Sequence, residues 1–98
     1  MKENLTNYKL SIKKYNEAAT LLTNIGYNKR AAIAYLGAAW ASSQDKDNLL
    51  ACEYYKKSAT AYQKPSANSQ DIINPQLDSK EKPFLNTIAV YKEKTGCH

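Results

Sequence analysis

The sequence predicts an all-α protein made of antiparallel helical hairpins, with three main helices and a shorter C-terminal helix after a long loop. Apolar residues recur at intervals of three and four along most of the chain, as on one face of a helix. Only three glycines and three prolines interrupt that pattern. A length of 98 residues, of which 43% are hydrophobic, suits one core. We therefore expect residues 1–98 to form a single helical domain.

The first predicted helix runs from Leu5 to Ile25. Its apolar and small residues fall on one face because they lie three or four positions apart. They are Leu5, Tyr8, Ile12, Tyr15, Ala19, Leu22 and Ile25. Gly26 is expected to end this helix, since glycine readily adopts the left-handed conformation that closes a helix C-terminus.

The second predicted helix begins at Asn28, a good N-cap residue, and continues through Ala41. Small residues form a stripe on which another helix can approach closely, namely Ala31, Ala34, Ala38 and Ala41. Larger apolar residues lie on a neighbouring face, namely Ile33, Leu36 and Trp40. Gly37 lowers helix propensity by about 1 kcal/mol relative to alanine. Its presence predicts a close approach at that point.

The third predicted helix runs from about Asn48 to Gln63. The polar residues 42–47 are expected to break the second helix, and Asp45 or Asp47 to cap the third. The predicted apolar stripe of the third helix consists of Leu50, Ala51, Tyr54, Tyr55, Ser58, Ala61 and Tyr62.

The remainder of the chain predicts a loop and a short helix. Residues 65–82 are mostly polar and contain two prolines, which is typical of a long polar loop. The final helix is predicted from about Pro83 to Glu93, with proline favoured in a first turn and Gly96 marking the outer limit.

The charge of the chain leaves two kinds of partner open. A net charge of +5 and a pI near 9.2 favour contact with polyanions. Of the fourteen basic residues only Arg30 is arginine, whereas specific recognition of phosphate and guanine favours the guanidinium group. A basic domain that binds nucleic acid or an acidic membrane is therefore the alternative hypothesis, with nucleic acid the less favoured partner.

The cysteine count and the absence of long apolar runs predict an intracellular protein, in the cytoplasm or an organelle matrix. Two cysteines are too few for a densely cross-linked secreted domain. No run approaches the roughly 18 apolar residues of a membrane span. Residues 1–4 lead into an amphipathic stretch, so we do not expect a signal peptide. Cys52 is expected to behave as a small buried hydrophobic residue in a reducing compartment.

The sequence contains no recognisable catalytic, cofactor or metal site, so we predict that the protein is not an enzyme. His98 is the only histidine and the last residue, where a dyad would depend on a fraying terminus. Cys97 and His98 would supply only two of the four ligands of a structural zinc site. No phosphate-binding glycine loop or nucleophile elbow occurs.

An offset of forty residues aligns Tyr15–Thr20 with Tyr55–Thr60, with identical tyrosine, alanine and threonine positions. A repeat of about this length is typical of stacked helical hairpins. The signature residues are Leu36, Gly37, Trp40, Ala51, Tyr55 and Ser58. Over Leu10–Pro65 the chain resembles a tetratricopeptide repeat, in a divergent form similar to the long-helix repeats of soluble NSF attachment proteins.

This resemblance implies a non-catalytic interaction module, or a structural or adaptor subunit of a larger assembly. A protein partner or a second copy of the chain would cover an open helical end. The groove positions would be mostly alanines, which suit an apolar helix. Tyr27, beside two cations, would add a polar contact patch. The predicted partner-binding residues are Tyr27, Lys29, Arg30, Ala34, Tyr35 and Ala38.

A further architecture is consistent with the same helices. A three-helix bundle of the microtubule-interacting and trafficking type would be closed, with a groove for a short helix.

Overall fold

The computed structural model describes residues 7–68, 70–71 and 82–97, and its regular secondary structure is helical. The helices are α1 (Tyr8–Asn24), α2 (Asn28–Gln44), α3 (Asn48–Gln63) and α4 (Lys82–Thr95). The all-α prediction is confirmed, and the bounds of α3 match those predicted. Leu5, His98 and most of the predicted loop 65–82 lie outside the described residues.

Consecutive helices pack against one another in antiparallel pairs. The Lys9 ammonium at the start of α1 forms an ion pair with Asp45, just after α2, at 2.9 Å. The Ser58 hydroxyl in the second half of α3 donates to the carbonyl of Ala32, in the first half of α2, at 2.6 Å. Further along the chain, α4 packs on α3, with Tyr62 stacked on Phe84 and Tyr55 on Tyr91. Each helix therefore returns along the one before it.

Three helices end in the same hydrogen-bonded turn. After α1, the Gly26 N–H donates to the Thr23 carbonyl and the Tyr27 N–H to the Leu22 carbonyl. This is the Schellman arrangement, which requires a left-handed residue, and Gly26 has φ +84°. The turn after α4 places Gly96 at φ +87°. The predicted roles of both glycines are confirmed.

The turn after α2 uses a residue that is poorly suited to it. Lys46 has φ +63°, in the left-handed region that side chains with a Cβ rarely adopt. Its N–H donates to the Ser43 carbonyl, and the Asp47 N–H donates to the Ser42 carbonyl. The compact three-residue connection to α3 therefore carries backbone strain.

The predicted cap of α2 is wrong. Asn28 is the first residue of the helix, and the N-cap residue, Tyr27, provides no side-chain cap. The carboxylate of Asp71 instead accepts the N–H groups of Lys29, at 2.6 Å, and Arg30, at 3.2 Å. A negative charge at a helix N-terminus is stabilising because it satisfies free N–H groups and complements the helix dipole.

The chain after α3 brings this remote cap into place. The side-chain amide of Asn28 donates to the Pro65 carbonyl at 2.9 Å. The Ser66 hydroxyl donates to Asp71, whose side chain is almost completely buried. The segment that follows α3 is thus attached to the start of α2.

The predicted break at residues 42–47 came too early, because α2 continues to Gln44. Ser42 stays helical because its buried hydroxyl donates to the Ala38 carbonyl, one turn earlier, at 2.8 Å. Asp47 is the N-cap of α3, and its carboxylate accepts the Leu50 N–H at 3.2 Å. Of the two predicted caps, Asp47 is confirmed, and Asp45 lies at the C-terminus of α2.

The centre of the protein is built from small residues of α2. The buried alanines of this helix are Ala31, Ala32, Ala34, Ala38, Ala39 and Ala41. Short side chains let the neighbouring helices approach closely, which is why Ser58 reaches a backbone carbonyl of α2. A Cβ on Gly37 would lie 2.5 Å from Cε1 of Tyr15, so the predicted close approach at Gly37 is confirmed.

The contact between α3 and α4 is made of large side chains. Tyr62 stacks on Phe84 with ring centroids 4.2 Å apart, and Tyr55 stacks on Tyr91 at 6.1 Å. Ile88 is buried in the same cluster. The predicted stripe of α3 is confirmed, since its seven members are buried or half-buried.

A disulfide joins Cys52 on α3 to Cys97 just beyond α4. The expectation that Cys52 is a free buried thiol is therefore wrong, and Cys97 is joined to α3 although it is the penultimate residue. In the turn after α4 the Cys97 N–H donates to the Lys92 carbonyl, which directs the chain back towards α3. A single disulfide needs only two cysteines, so the low cysteine count did not argue against a disulfide.

Among the four described helices, none has both the length and the apolar character needed to cross a lipid bilayer.

Candidate functional site

An apolar groove with a volume of about 520 Å³ lies across the outer face of α2. All four helices contribute to it, with Tyr15 from α1, Tyr55 from α3 and Tyr91 from α4. We call it the aromatic groove. Its lining residues are Tyr15, Ile33, Leu36, Gly37, Trp40, Tyr55 and Tyr91. The volume is within the range of roughly 300–1,000 Å³ that is usual for ligand-binding clefts.

The floor of the aromatic groove is one face of α2. Its residues 33, 36, 37 and 40 follow the spacing of three and four that brings side chains to one side of a helix. Ile33 is 43% exposed and Trp40 is 53% exposed. Large apolar side chains that are neighbours and open to water mark an interaction surface more often than a structural one.

The walls of the groove are tyrosine rings held by their neighbours. Tyr15 lies against Gly37, where only the missing Cβ leaves room for the ring. Tyr55 is 4% exposed and supports the ring of Tyr91 by stacking. The Tyr8 ring packs edge-on against Trp40, at 6.0 Å between centroids. These contacts limit the movement of the rings, so the groove is formed before any partner arrives.

Two predictions about the core need correction here. Tyr15 was predicted on the apolar stripe of the first helix and Trp40 among the larger apolar residues of the second, but both are exposed and line the groove. Tyr55, at the position that the forty-residue offset aligns with Tyr15, is the buried one of the two. The repeated tyrosines therefore lie in the same groove, with different degrees of burial. The offset was the sequence signal that linked them.

Three predicted contact residues lie away from this groove. Ala38 is 0% exposed, and Ala34 is also buried. Both side chains are covered where α2 packs on its neighbours. Tyr35 is half-buried and stacks on Tyr54, with centroids 6.2 Å apart. None of these three side chains lines the aromatic groove.

The other three predicted contact residues gather at the start of α2. The Arg30 guanidinium lies 5.1 Å from the centre of the Tyr27 ring. The Lys29 ammonium lies 4.2 Å from the centre of the Tyr62 ring. The predicted association of Tyr27 with Arg30 is therefore present, and Arg30 lies one helical turn before Ile33 on the groove floor.

The described side chains that line the groove are aliphatic or aromatic, apart from the glycine. Among the described residues that line it there is no carboxylate, histidine, lysine or cysteine. Away from the groove, burial raises the pKa of Tyr54, helped by the nearby Tyr35 and Glu53. The pKa of the Lys9 ammonium is also raised, chiefly by its hydrogen bond to Asp45. Both groups therefore keep their proton at neutral pH.

A second concavity, of about 320 Å³, lies on the other side of α2, where Tyr35 projects. We call it the basic cleft. It is lined by Thr23, Asn28, Tyr35, Lys56, Lys57, Thr60, Ala61 and Lys64. The Lys57 ammonium lies 5.4 Å from the centre of the Tyr54 ring, which is close enough for a cation–π interaction.

No protein-family model, no curated protein and no solved structure matches this chain.

Proposed function

We propose that this protein is a non-catalytic interaction module, adaptor or structural subunit that binds a helix of a protein partner in the aromatic groove. The observation that carries the proposal is the row of exposed apolar side chains on α2, between the rings of Tyr15 and Tyr91. Removing such area from water contributes about 25 cal/mol per Å². A partner that covers the row would therefore gain binding energy from it.

The shape of the groove favours a helix over an extended segment. Its floor presents apolar side chains along two turns of a helix, which is the surface that a second helix meets in a bundle. Recognition of an amphipathic helix by such a surface relies on anchors at the same three-and-four spacing. Preformed walls reduce the entropy that must be lost on binding.

We also propose that the hairpin of α2 and α3 is tetratricopeptide-like. The support is the signature in the sequence and the common position of Tyr15 and Tyr55 in one groove. In that architecture, a partner or a second copy would cover an unpaired helical end.

The disulfide changes the cellular compartment that we propose for this protein. An intracellular location was predicted partly because the cysteines were expected to be free, and the bond between Cys52 and Cys97 removes that support. Disulfides persist in oxidising compartments and are rare in the cytosol. We therefore propose an oxidising compartment, which thiol alkylation in a fresh extract would test by showing both cysteines protected.

Fluorescence of Trp40 gives a direct test of groove binding, because it is the only tryptophan of the chain. Amphipathic helical peptides that share one apolar face are titrated into the protein. We expect the emission of Trp40 to shift to shorter wavelength as a peptide covers the indole. Circular dichroism of the complex reports whether the peptide is helical.

A matched pair of variants locates the binding. Ile33→Ser removes an exposed apolar residue of the groove, and Leu21→Ser removes one from α1 that does not line it. We expect Ile33→Ser to weaken binding roughly tenfold, since about 1.4 kcal/mol of burial is lost. Leu21→Ser should bind like the unchanged protein. An unshifted emission with every peptide, or equal loss in the two variants, would refute the proposal.

The basic cleft supports a second candidate function, the binding of nucleic acid or an acidic membrane. Lys56, Lys57 and Lys64 line the cleft, and within the described residues none of the three forms an ion pair. Affinity for an oligonucleotide or an acidic vesicle should then fall steeply with salt, and Lys57→Gln should reduce it. Absence of binding at low salt would eliminate this candidate.

A further inference from the structure

The charged residues next to the aromatic groove along its helices are all positive. On a helix, residues three or four positions from a lining residue lie beside it. At these positions the charged residues are Lys29, Arg30 and Lys94, and none is a carboxylate. The whole of α2, which forms the floor, contains no aspartate or glutamate. An approaching partner therefore meets an apolar strip with positive charge at its margins.

The two outermost of these cations are available for contact. Arg30 and Lys94 are exposed, and among residues 7–68, 70–71 and 82–97 neither side chain has an ion-pair partner. The Asp71 carboxylate lies at the start of α2, next to the backbone of Arg30. It is almost fully buried and accepts the N–H groups of Lys29 and Arg30, so it reduces the positive field there without occupying the guanidinium.

We infer that the partner of the aromatic groove is an acidic amphipathic helix, with large apolar side chains on one face and aspartate or glutamate along its edges. This inference rests on the proposed function and adds the chemistry of the partner. The apolar face would cover Ile33 and Trp40. The acidic edges would lie beside Arg30 and Lys94, where opposite charges speed encounter and select the partner.

A second copy of the chain fits the groove less well than an acidic helix. Each copy has a net charge of +5, and a symmetric dimer would bring identical surfaces together. Arg30 and Lys94 would then face cations of the same kind, and like charges in contact oppose association. An acidic bilayer is the other candidate, but a groove with a wall from α1 and another from α4 fits a rod-like helix better than a flat surface.

Three peptides that differ only at their edges test this inference. They share the apolar face and carry glutamate, glutamine or lysine along the flanks, and Trp40 emission reports their binding. Exposed charge pairs each change affinity only modestly, so we expect the acidic peptide to bind roughly tenfold more tightly than the neutral one at low salt. This preference should shrink as salt screens the charges, and the basic peptide should bind most weakly.

Two double variants with the same loss of charge provide the control. Arg30→Gln with Lys94→Gln should remove most of the acidic preference and leave the neutral peptide unaffected. Lys13→Gln with Lys46→Gln removes two exposed cations that do not lie beside the groove, and should preserve the preference. Equal effects of the two double variants would show a general charge attraction and overturn the inference.

The remaining outcomes separate the inference from the proposed function. If the three peptides bind equally, the acidic partner is refuted and the groove remains a helix-binding site. If none binds, the proposed function itself is refuted. A Trp40 shift that is stronger with acidic vesicles than with the acidic peptide, or a peptide-free dimer in sedimentation, would assign the groove to a membrane or a second copy and overturn the inference.

Discussion

Helices α2 and α4 both pack on α3, but they are attached to it by different means. The contact of α2 is centred on buried alanines and on a serine of α3 that donates to a backbone carbonyl at 2.6 Å, beside the stacked rings of Tyr35 and Tyr54. The contact of α4 consists of two pairs of stacked rings, a buried isoleucine and a disulfide. The first depends mainly on small buried side chains that let the helices approach closely, and the second on a few large contacts and one covalent bond.

The comparison shows where the groove is vulnerable. Its floor belongs to α2, which is packed between two neighbours, whereas its outer wall at Tyr91 belongs to α4, which contacts α3. Loss of the α4 contact would remove the wall and leave the floor. The stability of α4 and the shape of the groove should therefore change together.

Breaking the disulfide is expected to have the largest effect. Cys52 and Cys97 are 45 positions apart, for which the chain-entropy model gives about 4 kcal/mol of stabilisation. Cys97→Ser should lower the free energy of unfolding by roughly that amount in urea titrations. Hydrogen exchange should show α4 losing protection before α2.

The corresponding control is the variant with both cysteines changed to serine. It should be insensitive to reductant, while the unchanged protein should be destabilised by reductant to a similar level. Early loss of protection in α2, or a stability that reductant does not alter, would refute the difference between the two contacts.

Overpacking is expected to damage α2 far more than α4. Ala38 is fully buried, and Ala38→Leu should destabilise the fold by about 1–3 kcal/mol because the neighbouring helices must separate. Ala89→Leu makes the same change on an exposed position of α4 and should be close to neutral. Thermal unfolding of the pair measures the difference, and equal effects would contradict the small-residue account of α2.

Removing the remote cap of α2 should have the next largest effect. Asp71 accepts two backbone N–H groups from a buried position, so Asp71→Ala should cost about 2 kcal/mol. Asp47 accepts one such group at the exposed start of α3, and Asp47→Ala should cost about 1 kcal/mol. Denaturant titrations compare the two, and a larger loss for Asp47→Ala would contradict the role given to Asp71.

Replacing the strained lysine after α2 should stabilise the protein. Lys46 has a positive φ, so Lys46→Gly should relieve backbone strain and raise the free energy of unfolding by up to about 1 kcal/mol. The same substitution within α1, Lys13→Gly, should lower it by about 1 kcal/mol, since glycine weakens a helix interior. Changes of the same sign in the two variants would argue against strain at Lys46.

The smallest effect on stability is expected at Gly37, with a large effect on binding. A Cβ there would force the Tyr15 ring out of place, and this loss opposes a gain of about 1 kcal/mol in helix propensity. Gly37→Ala should therefore unfold near the temperature of the unchanged protein while binding groove peptides more weakly. Unchanged peptide affinity would show that Tyr15 does not shape the site.

Local patterns in the sequence predicted the parts of the fold that depend on neighbouring residues. The bounds of α3 and its apolar stripe agree with the structure, and so do the helix ends at Gly26 and Gly96. A helix repeats every 3.6 residues, so a few turns of sequence contain its buried face. Left-handed turns likewise depend on a residue type at one position.

The candidate site was only partly predictable. The forty-residue offset linked Tyr15 to Tyr55, and the spacing of α2 put Ile33 and Trp40 on one face. Nothing in that spacing said whether the face would be covered. Trp40 is 53% exposed although the Tyr8 ring packs against it, which is a property of the packed structure.

The sequence by itself determined the helical class, the positions of the helices and the faces that are apolar, because these follow from residues within a few turns of one another. The tertiary structure alone decided that Asp71 caps α2, that Cys52 pairs with Cys97, and that Trp40 faces water. Each depends on distances between segments far apart in the chain. Such distances exist only after the helices have packed.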